Sequence, residues 1–306
     1  MCGIIGIHNN SEAAMLAYMG LYAQQHRGQE GAGVISSDGV HLHRHMGQGL
    51  VSDVFSDPNV FNKLIGDAAI GHVRYSTTGN SDEKNVGPLT FNMGSYYLSI
   101  AHNGNLVNIE EIRMSLQKDG AIFQTSTDTE IIIHLIAREK GNSLAEKVEK
   151  ALQKIEGAYS LLLLSPNEMI AARDPYGIRP FCMGKLQNTY VFASETCALD
   201  LLGAKYIRDV KLGEMVVIND SGLHSKTIIT PQKPKHCIFE YIYFSRPDSK
   251  IFGKSVDKMR RAFGRKLAQE SPADTGDIVI SVPDSSNTCA LGYASKSNLQ
   301  HEIGLI

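Results

Sequence analysis

Met1-Cys2-Gly3-Ile4-Ile5-Gly6-Ile7 opens the chain, and the reading of its second residue decides the fold. Removal of the initiator Met leaves Cys2 with a thiol and a free α-amino group on one residue. The thiolate is the nucleophilic form of cysteine. An α-amine with a pKa of about 7.7–8.0 can accept the proton of a thiol with one of about 8.5. Nucleophile and base then come from the same residue, and no distant histidine is needed. Read without that chemistry, Cys2 is a small buried residue that begins a strand. The rest of the chain has to separate the two readings.

Composition bounds the answer. The 306 residues are 42% hydrophobic, enough for two domains. A net charge of −2 gives no electrostatic case for nucleic acid or an anionic membrane. The basic residues Lys258, Arg260, Arg261, Arg265 and Lys266 share a helical stretch with Asp257 and Glu270, which reads as a solvated face. Five widely spaced cysteines (Cys2, Cys182, Cys197, Cys237, Cys289) argue against a disulfide framework and for a reducing compartment. No apolar run approaches a membrane span, and the N-terminus lacks a basic leader. The expectation is a cytoplasmic protein.

Outward from Cys2 the pattern is α+β. Ile4–Ile7 reads as a strand, and Ser11 as the cap of a helix toward Gln25 with Met15, Met19 and Tyr22 on one face. Asp38-Gly39 between two strand-like runs signals a hairpin. Ala68–Arg74 and Tyr96–Ala101 read as buried strands. Three helices follow, starting at Asn108, Asp128 and Ser143; the last has Glu146 in capping-box position and a stripe of Leu144, Val148, Ala151, Leu152 and Ile155. Strands resume from Tyr159 to Ile229. Thr230-Pro231-Gln232-Lys233-Pro234-Lys235 reads as a connector. Beyond it a helix over about 255–269, a strand at Asp277–Val282, a helix at Thr288–Ser295 and a final strand begin a parallel α/β sheet.

A cysteine attacking a carbonyl needs donors for the developing oxyanion. Asn103 and Gly104, after a strand, offer a side-chain amide and an unobstructed backbone N–H, although Asn-Gly is also an ordinary turn. Arg74, at the end of a strand, could clamp a carboxylate. Asp128 could face an ammonium or merely cap its helix.

Together, in this order, these pieces resemble the class II glutamine amidotransferases. The carriers are Cys2-Gly3-Ile4, His26-Arg27-Gly28-Gln29, Arg74, Asn103-Gly104 and Asp128. Within that superfamily the chain looks like the amidophosphoribosyltransferase family. Further segments that carry this are Gly49–Phe55, Arg173-Asp174-Pro175-Tyr176-Gly177-Ile178-Arg179-Pro180, Ala193-Ser194-Glu195-Thr196-Cys197-Ala198 and Tyr243–Ser249. The resemblance implies an N-terminal-nucleophile αββα sandwich over 2–230. The connector and the start of an α/β type I phosphoribosyltransferase domain would occupy 231–306. It also implies roles: Cys2 as nucleophile and base, Asn103 and Gly104 as oxyanion hole, Arg74 and Asp128 on the glutamine carboxylate and ammonium. Arg27, Gly28, Tyr75 and Thr77 would line or close the pocket. Ammonia released there would displace pyrophosphate from phosphoribosyl pyrophosphate (PRPP), the first committed step of purine synthesis. A homo-oligomer, tetramer or dimer, is implied for the full-length protein.

The second site is where the chain departs from the family. Val282-Pro283-Asp284-Ser285-Ser286 matches the pyrophosphate-binding loop, with Asp284 and Ser285 toward pyrophosphate or Mg²⁺. The acidic pair and Gly/Thr-rich loop that grip the ribose 5-phosphate are not found before Ile306. The expectation is a truncated chain with glutaminase chemistry and without phosphoribosyl transfer. One branch of the family ligates a 4Fe–4S cluster through a cysteine at the position of Cys237. The cluster needs four thiolates, so none is expected in this chain. His41, His43 and His45 alternate onto one strand face, which reads as solvated rather than metal-binding. Three competing readings stay open: an amidotransferase with another acceptor, a simple N-terminal-cysteine amide hydrolase, and a non-catalytic PRPP-sensing protein.

Overall fold

The computed structural model describes residues 2–75 and 83–306. Two compact units divide the chain, Met1–His236 and Cys237–Ile306. In the first unit the strands are β1 Gly3–His8, β2 Gly31–Ser37, β3 Leu42–Gln48, β4 Ala68–Arg74, β5 Leu89–Asn92, β6 Tyr97–Leu106, β7 Gly157–Leu164, β8 Glu168–Arg173, β9 Cys182–Leu186, β10 Thr189–Ala193, β11 Lys205–Asp209, β12 Glu214–Asn219 and β13 Gly222–Thr227. Its helices are α1 Ala13–Ala23, α2 Val51–Val54, α3 Ile109–Lys118, α4 Thr129–Arg138, α5 Leu144–Leu152 and α6 Thr196–Leu202.

Seven strands form one antiparallel sheet in the order β11-β9-β10-β1-β4-β2-β3, and six form the other, β13-β12-β8-β7-β6-β5. Apolar side chains from both sheets meet between them, among them Ile4, Ile35, Ile70, Leu162, Met169, Phe192 and Val216. Helices α1, α2 and α6 cover the outer face of the first sheet, and α3, α4 and α5 that of the second. The layers run α, β, β, α.

Helix α1 corrects the expected face. Its buried side is Ala13, Ala14, Ala17, Gly20 and Leu21, while Met15 and Tyr22 are exposed. Ser11 is not the cap; Glu12 is, with no side-chain cap bond. Small residues win because the helix lies so close to β1: a Cβ on Gly20 would stand 2.1 Å from Ile5 Cδ1. By contrast α5 has the expected cap, Glu146 N–H donating to Ser143 Oγ at 3.2 Å, and the expected buried stripe.

The stretch 231–236 lies with the first unit. Gln232 N–H donates to Pro175 O at 2.9 Å and Lys235 N–H to Tyr176 O at 3.0 Å, with the Lys235 ammonium 4.5 Å above the Tyr176 ring. The second unit contains β14 Lys250–Ile251, β15 Lys254–Ser255, α7 Val256–Glu270, β16 Ile278–Ile280, α8 Asn287–Ser297 and β17 Gln300–Glu302. Strands β16 and β17 pair in parallel, as the strand–helix–strand pattern predicts. Arg260 departs from the solvated face expected of α7: it is 2% exposed and donates to the carbonyls of Tyr241 and Ser245. Among the described residues no helix is long and apolar enough to cross a membrane.

Candidate active site

Strand β1 lies at the centre of its sheet, between β10 and β4, so a residue just before it is held from both sides. Ile4 N–H donates to Ser194 Oγ at 3.0 Å, and Ser194 N–H in turn to Gln24 Oε1 at 3.1 Å. Arg27 Nε–H donates to the Cys2 carbonyl at 3.0 Å. Its guanidinium is ion-paired to Glu195, which also binds His26 Nε2 at 2.8 Å. Burial opposes ionisation of Glu195, but the Arg27 charge and the His26 hydrogen bond outweigh it. Its carboxyl stays ionised far below the usual carboxylate range. The Cys2 thiol is half-buried, with its Sγ 3.6 Å from Tyr75 O.

Arg74 closes β4. Its Nη1 donates to Asn85 O at 2.7 Å, and its Nε lies 3.9 Å from Glu30 Oε2. Gly28 backs onto it: a Cβ there would stand 2.6 Å from the Arg74 carbonyl. Asp128 occupies the cap position of α4 yet makes no side-chain cap bond. Instead its Oδ2 accepts from Leu106 N–H at 3.0 Å and its Oδ1 lies 3.6 Å from His102 Nδ1. The capping role allowed by the sequence is therefore absent. Burial opposes the Asp128 charge, and His102 outweighs it, so the carboxyl lies below its usual range.

Asn103-Gly104 is not a turn. It lies within β6, with Asn103 opposite Ser160 and Gly104 opposite Tyr159 on β7. Asn103 is fully buried; its Nδ2 lies 3.5 Å from Ser194 Oγ, and its Oδ1 has no hydrogen-bond partner among the described residues.

One pocket brings Cys2, Arg74, Tyr75, Gly104 and Asp128 together, with His72 and His102 in its wall. Arg27 and Gly28 stand behind Cys2 and Arg74 rather than in the lining, and Asn103, between the lining residues His102 and Gly104, does not line the pocket. Thr77 falls outside the described residues. Sequence reasoning missed both wall histidines and Glu195. The signal for the histidines was a polar ring in each of two otherwise apolar strands, Gly71-His72-Val73 and Ala101-His102-Asn103.

Outside this pocket, Asp284 is exposed and Ser285 half-buried at the start of α8. Cys237 is a half-buried free thiol. Among the described residues the group of three metal-ligand side chains that closes is His26, Glu195 and Cys197, with ligand atoms within 4.8 Å of one another. Arg27 already neutralises Glu195 there, so that group is an ion-pair network. Among the described residues no such group includes Cys237. His43 and His45 bond Asp38 and the Val54 carbonyl, respectively.

The antiparallel αββα sandwich, with a cysteine just before its central strand, fits the fold expected of a glutamine amidotransferase. A family model described as a glutamine amidotransferase domain matches residues 72–201. The chain is 47% identical over its whole length to the amidophosphoribosyltransferase of Bacillus subtilis (strain 168), of which it covers 64%. It is 48% identical to the chloroplastic amidophosphoribosyltransferase 2 of Arabidopsis thaliana, covering 54%. The solved structure of the glutamine PRPP amidotransferase from B. subtilis, complexed with ADP and GMP, superposes with a TM-score of 0.94. That match is at 46% identity and covers all of this chain and 66% of the other. The chain is similar along its whole length to amidophosphoribosyltransferases, and it spans just under two thirds of the B. subtilis relative.

Proposed function

We propose that this chain hydrolyses L-glutamine at Cys2, as the ammonia-releasing half of the reaction glutamine + PRPP + water → 5-phosphoribosylamine + glutamate + pyrophosphate. The observation that carries the reading is the convergence of Cys2, Arg74, Gly104 and Asp128 on one pocket. Arg74 takes the α-carboxylate in a charge-assisted bond, and Asp128 takes the α-ammonium. The Cys2 α-amine removes the thiol proton, and the thiolate attacks the carboxamide carbon. The oxyanion receives the Gly104 N–H and, after rotation of its amide, Asn103 Nδ2. Collapse breaks the C–N bond, and the α-ammonium of Cys2 supplies the proton with which ammonia departs. Water then cleaves the γ-glutamyl thioester, giving glutamate and the free thiol. Arg27, fixed by Glu195, holds the Cys2 carbonyl and so the direction in which amine and thiol point.

The same proposal places pyrophosphate recognition at Asp284 and Ser285. Their hard oxygen donors suit Mg²⁺, which would neutralise pyrophosphate as it leaves. A cytoplasmic homo-oligomer completes the reading for the whole protein. The test is ammonia release from glutamine. Cys2→Ala should abolish it with the fold intact, and unchanged release would overturn the assignment. Substrate profiling separates the amide-hydrolase alternative: dependence on both α-substituents of glutamine supports the amino-acid pocket.

A further inference from the structure

Asp128 sends one oxygen to the Leu106 N–H and turns the other toward a histidine that the proposed chemistry does not use. His102 Nδ1 lies 3.6 Å from Asp128 Oδ1, and Nε2 lies 3.4 Å from Ala158 O on β7. Asp128 Oδ1 stands at ion-pair distance from Nδ1, and the Ala158 carbonyl and the Thr129 hydroxyl can accept from Nε2 and Nδ1, so a doubly protonated ring has a partner for each nitrogen. The ring is buried, 6% exposed, beside an equally buried carboxylate.

We propose that His102 is a specificity-determining residue, a resident cation on Asp128 that gives up its proton when the α-ammonium of an amino-acid ligand takes its place. The inference rests on the reading that Asp128 receives that ammonium. Titratable groups face the ring across the pocket: Asp128 ahead of α4, His72 and Arg74 on β4, and Cys2 before β1. Glu130, in the first turn of α4, is engaged elsewhere, accepting from the Gln124 and Thr125 backbone. Burial favours the neutral ring, and Asp128 outweighs it, so His102 titrates above the usual histidine range. A ligand ammonium on the same carboxylate would put a second cation beside Arg74 and the imidazolium. The Nδ1–H proton then leaves to solvent. Neutral His102 keeps its Nε2–H on Ala158 O, and its bare Nδ1 can accept the Thr129 hydroxyl, 3.2 Å away. An amide analogue without the ammonium would leave the imidazolium in place and bind weakly.

The experiment is titration calorimetry of L-glutamine into the full chain carrying Cys2→Ala, in phosphate and in Tris at matched pH. Net proton release should appear as a buffer-dependent heat. Affinity should rise with pH across the His102 titration, by at most about tenfold per unit. In His102→Gln that release should disappear. Nitrogen-15 shifts of the histidine rings in the otherwise unsubstituted Cys2→Ala chain give a measurement that needs no change at His102: two protonated nitrogens without glutamine, one with it. Buffer-independent heats, unchanged release in His102→Gln, or a ring that stays doubly protonated would overturn the inference. If glutamine also failed to weaken on Arg74→Ala and Asp128→Asn, the reading of the pocket itself would fall. Binding that depends on both residues but releases no proton would overturn the His102 assignment alone.

Discussion

Glu195 and Arg27 are side chains with no exposed surface, paired with one another. Removing one partner of a buried pair strands the other charge, at a cost of about 3–5 kcal/mol. Glu195→Ala should lower stability by that amount in urea unfolding. Glu195→Gln keeps an acceptor for Arg27 and should cost less, while lowering the glutaminase kcat through a looser Cys2 carbonyl. At Gly28 the constraint is space: a Cβ meets the Arg74 backbone at 2.6 Å. Gly28→Ala should raise KM for glutamine more than it lowers kcat, because what it displaces is Arg74. Cys2, Arg74 and Asp128 could be singled out because their order along the chain, with Asn103-Gly104 between the last two, matches the pattern it resembles. Glu195 was not, since its partner lies 168 positions away and only the pairing of β1 with β10 brings them together.

At the scale of elements, legibility followed the cause of each element. Helix α5 carries its cap, its stripe and its end in local sequence, and Ser143→Ala should cost it about 1 kcal/mol, read by chemical denaturation. The buried face of α1 could not be chosen that way. Its long apolar residues pointed to one side, and the close approach to Ile5 selected the side with Gly20. Gly20→Val should destabilise by about 1–3 kcal/mol through overpacking, as thermal melting would record. Short strands such as β5 and β11 exist through their neighbours and left no periodic trace. Asn103-Gly104 has turn composition and lies in a strand, because β7 pairs with it along its full length.

Across the whole first unit, buried titratable groups set the response to pH. Burial pushes His72 down to about 3, with the Arg74 and His102 charges adding to it. Between about pH 3 and the unfolded value of about 6.5, the unfolded chain binds this proton and the folded one does not. Stability should therefore fall as pH drops through that window, by up to about 1.4 kcal/mol per unit from this group. Glu195, depressed in the fold, adds to the loss below its unfolded value near 4.5. His102 works in the other direction and in another range. Raised in the fold, it contributes fully below about pH 6.5 and its contribution is lost as pH climbs through its folded value. Urea unfolding from pH 3 to 9 should show both limbs, and His72→Gln should flatten the acid one. An acid limb unchanged by that substitution would remove His72 from the account.

By itself the sequence pointed to Cys2 as the candidate nucleophile, to Arg74 and Asp128 as candidate partners of an amino-acid ligand, to the α+β class and to the family it resembles. Each of those signals is weak in its own segment, and their order along the chain carries the resemblance. Only the tertiary structure decided which face of α1 is buried, that Asp128 turns from its helix toward β6, that Asn103 lies in a strand, and that Glu195 and His102 are held beside Arg27 and Asp128. Each of these is settled by a contact between distant segments, where close packing and the desolvation of charge outweigh local preference.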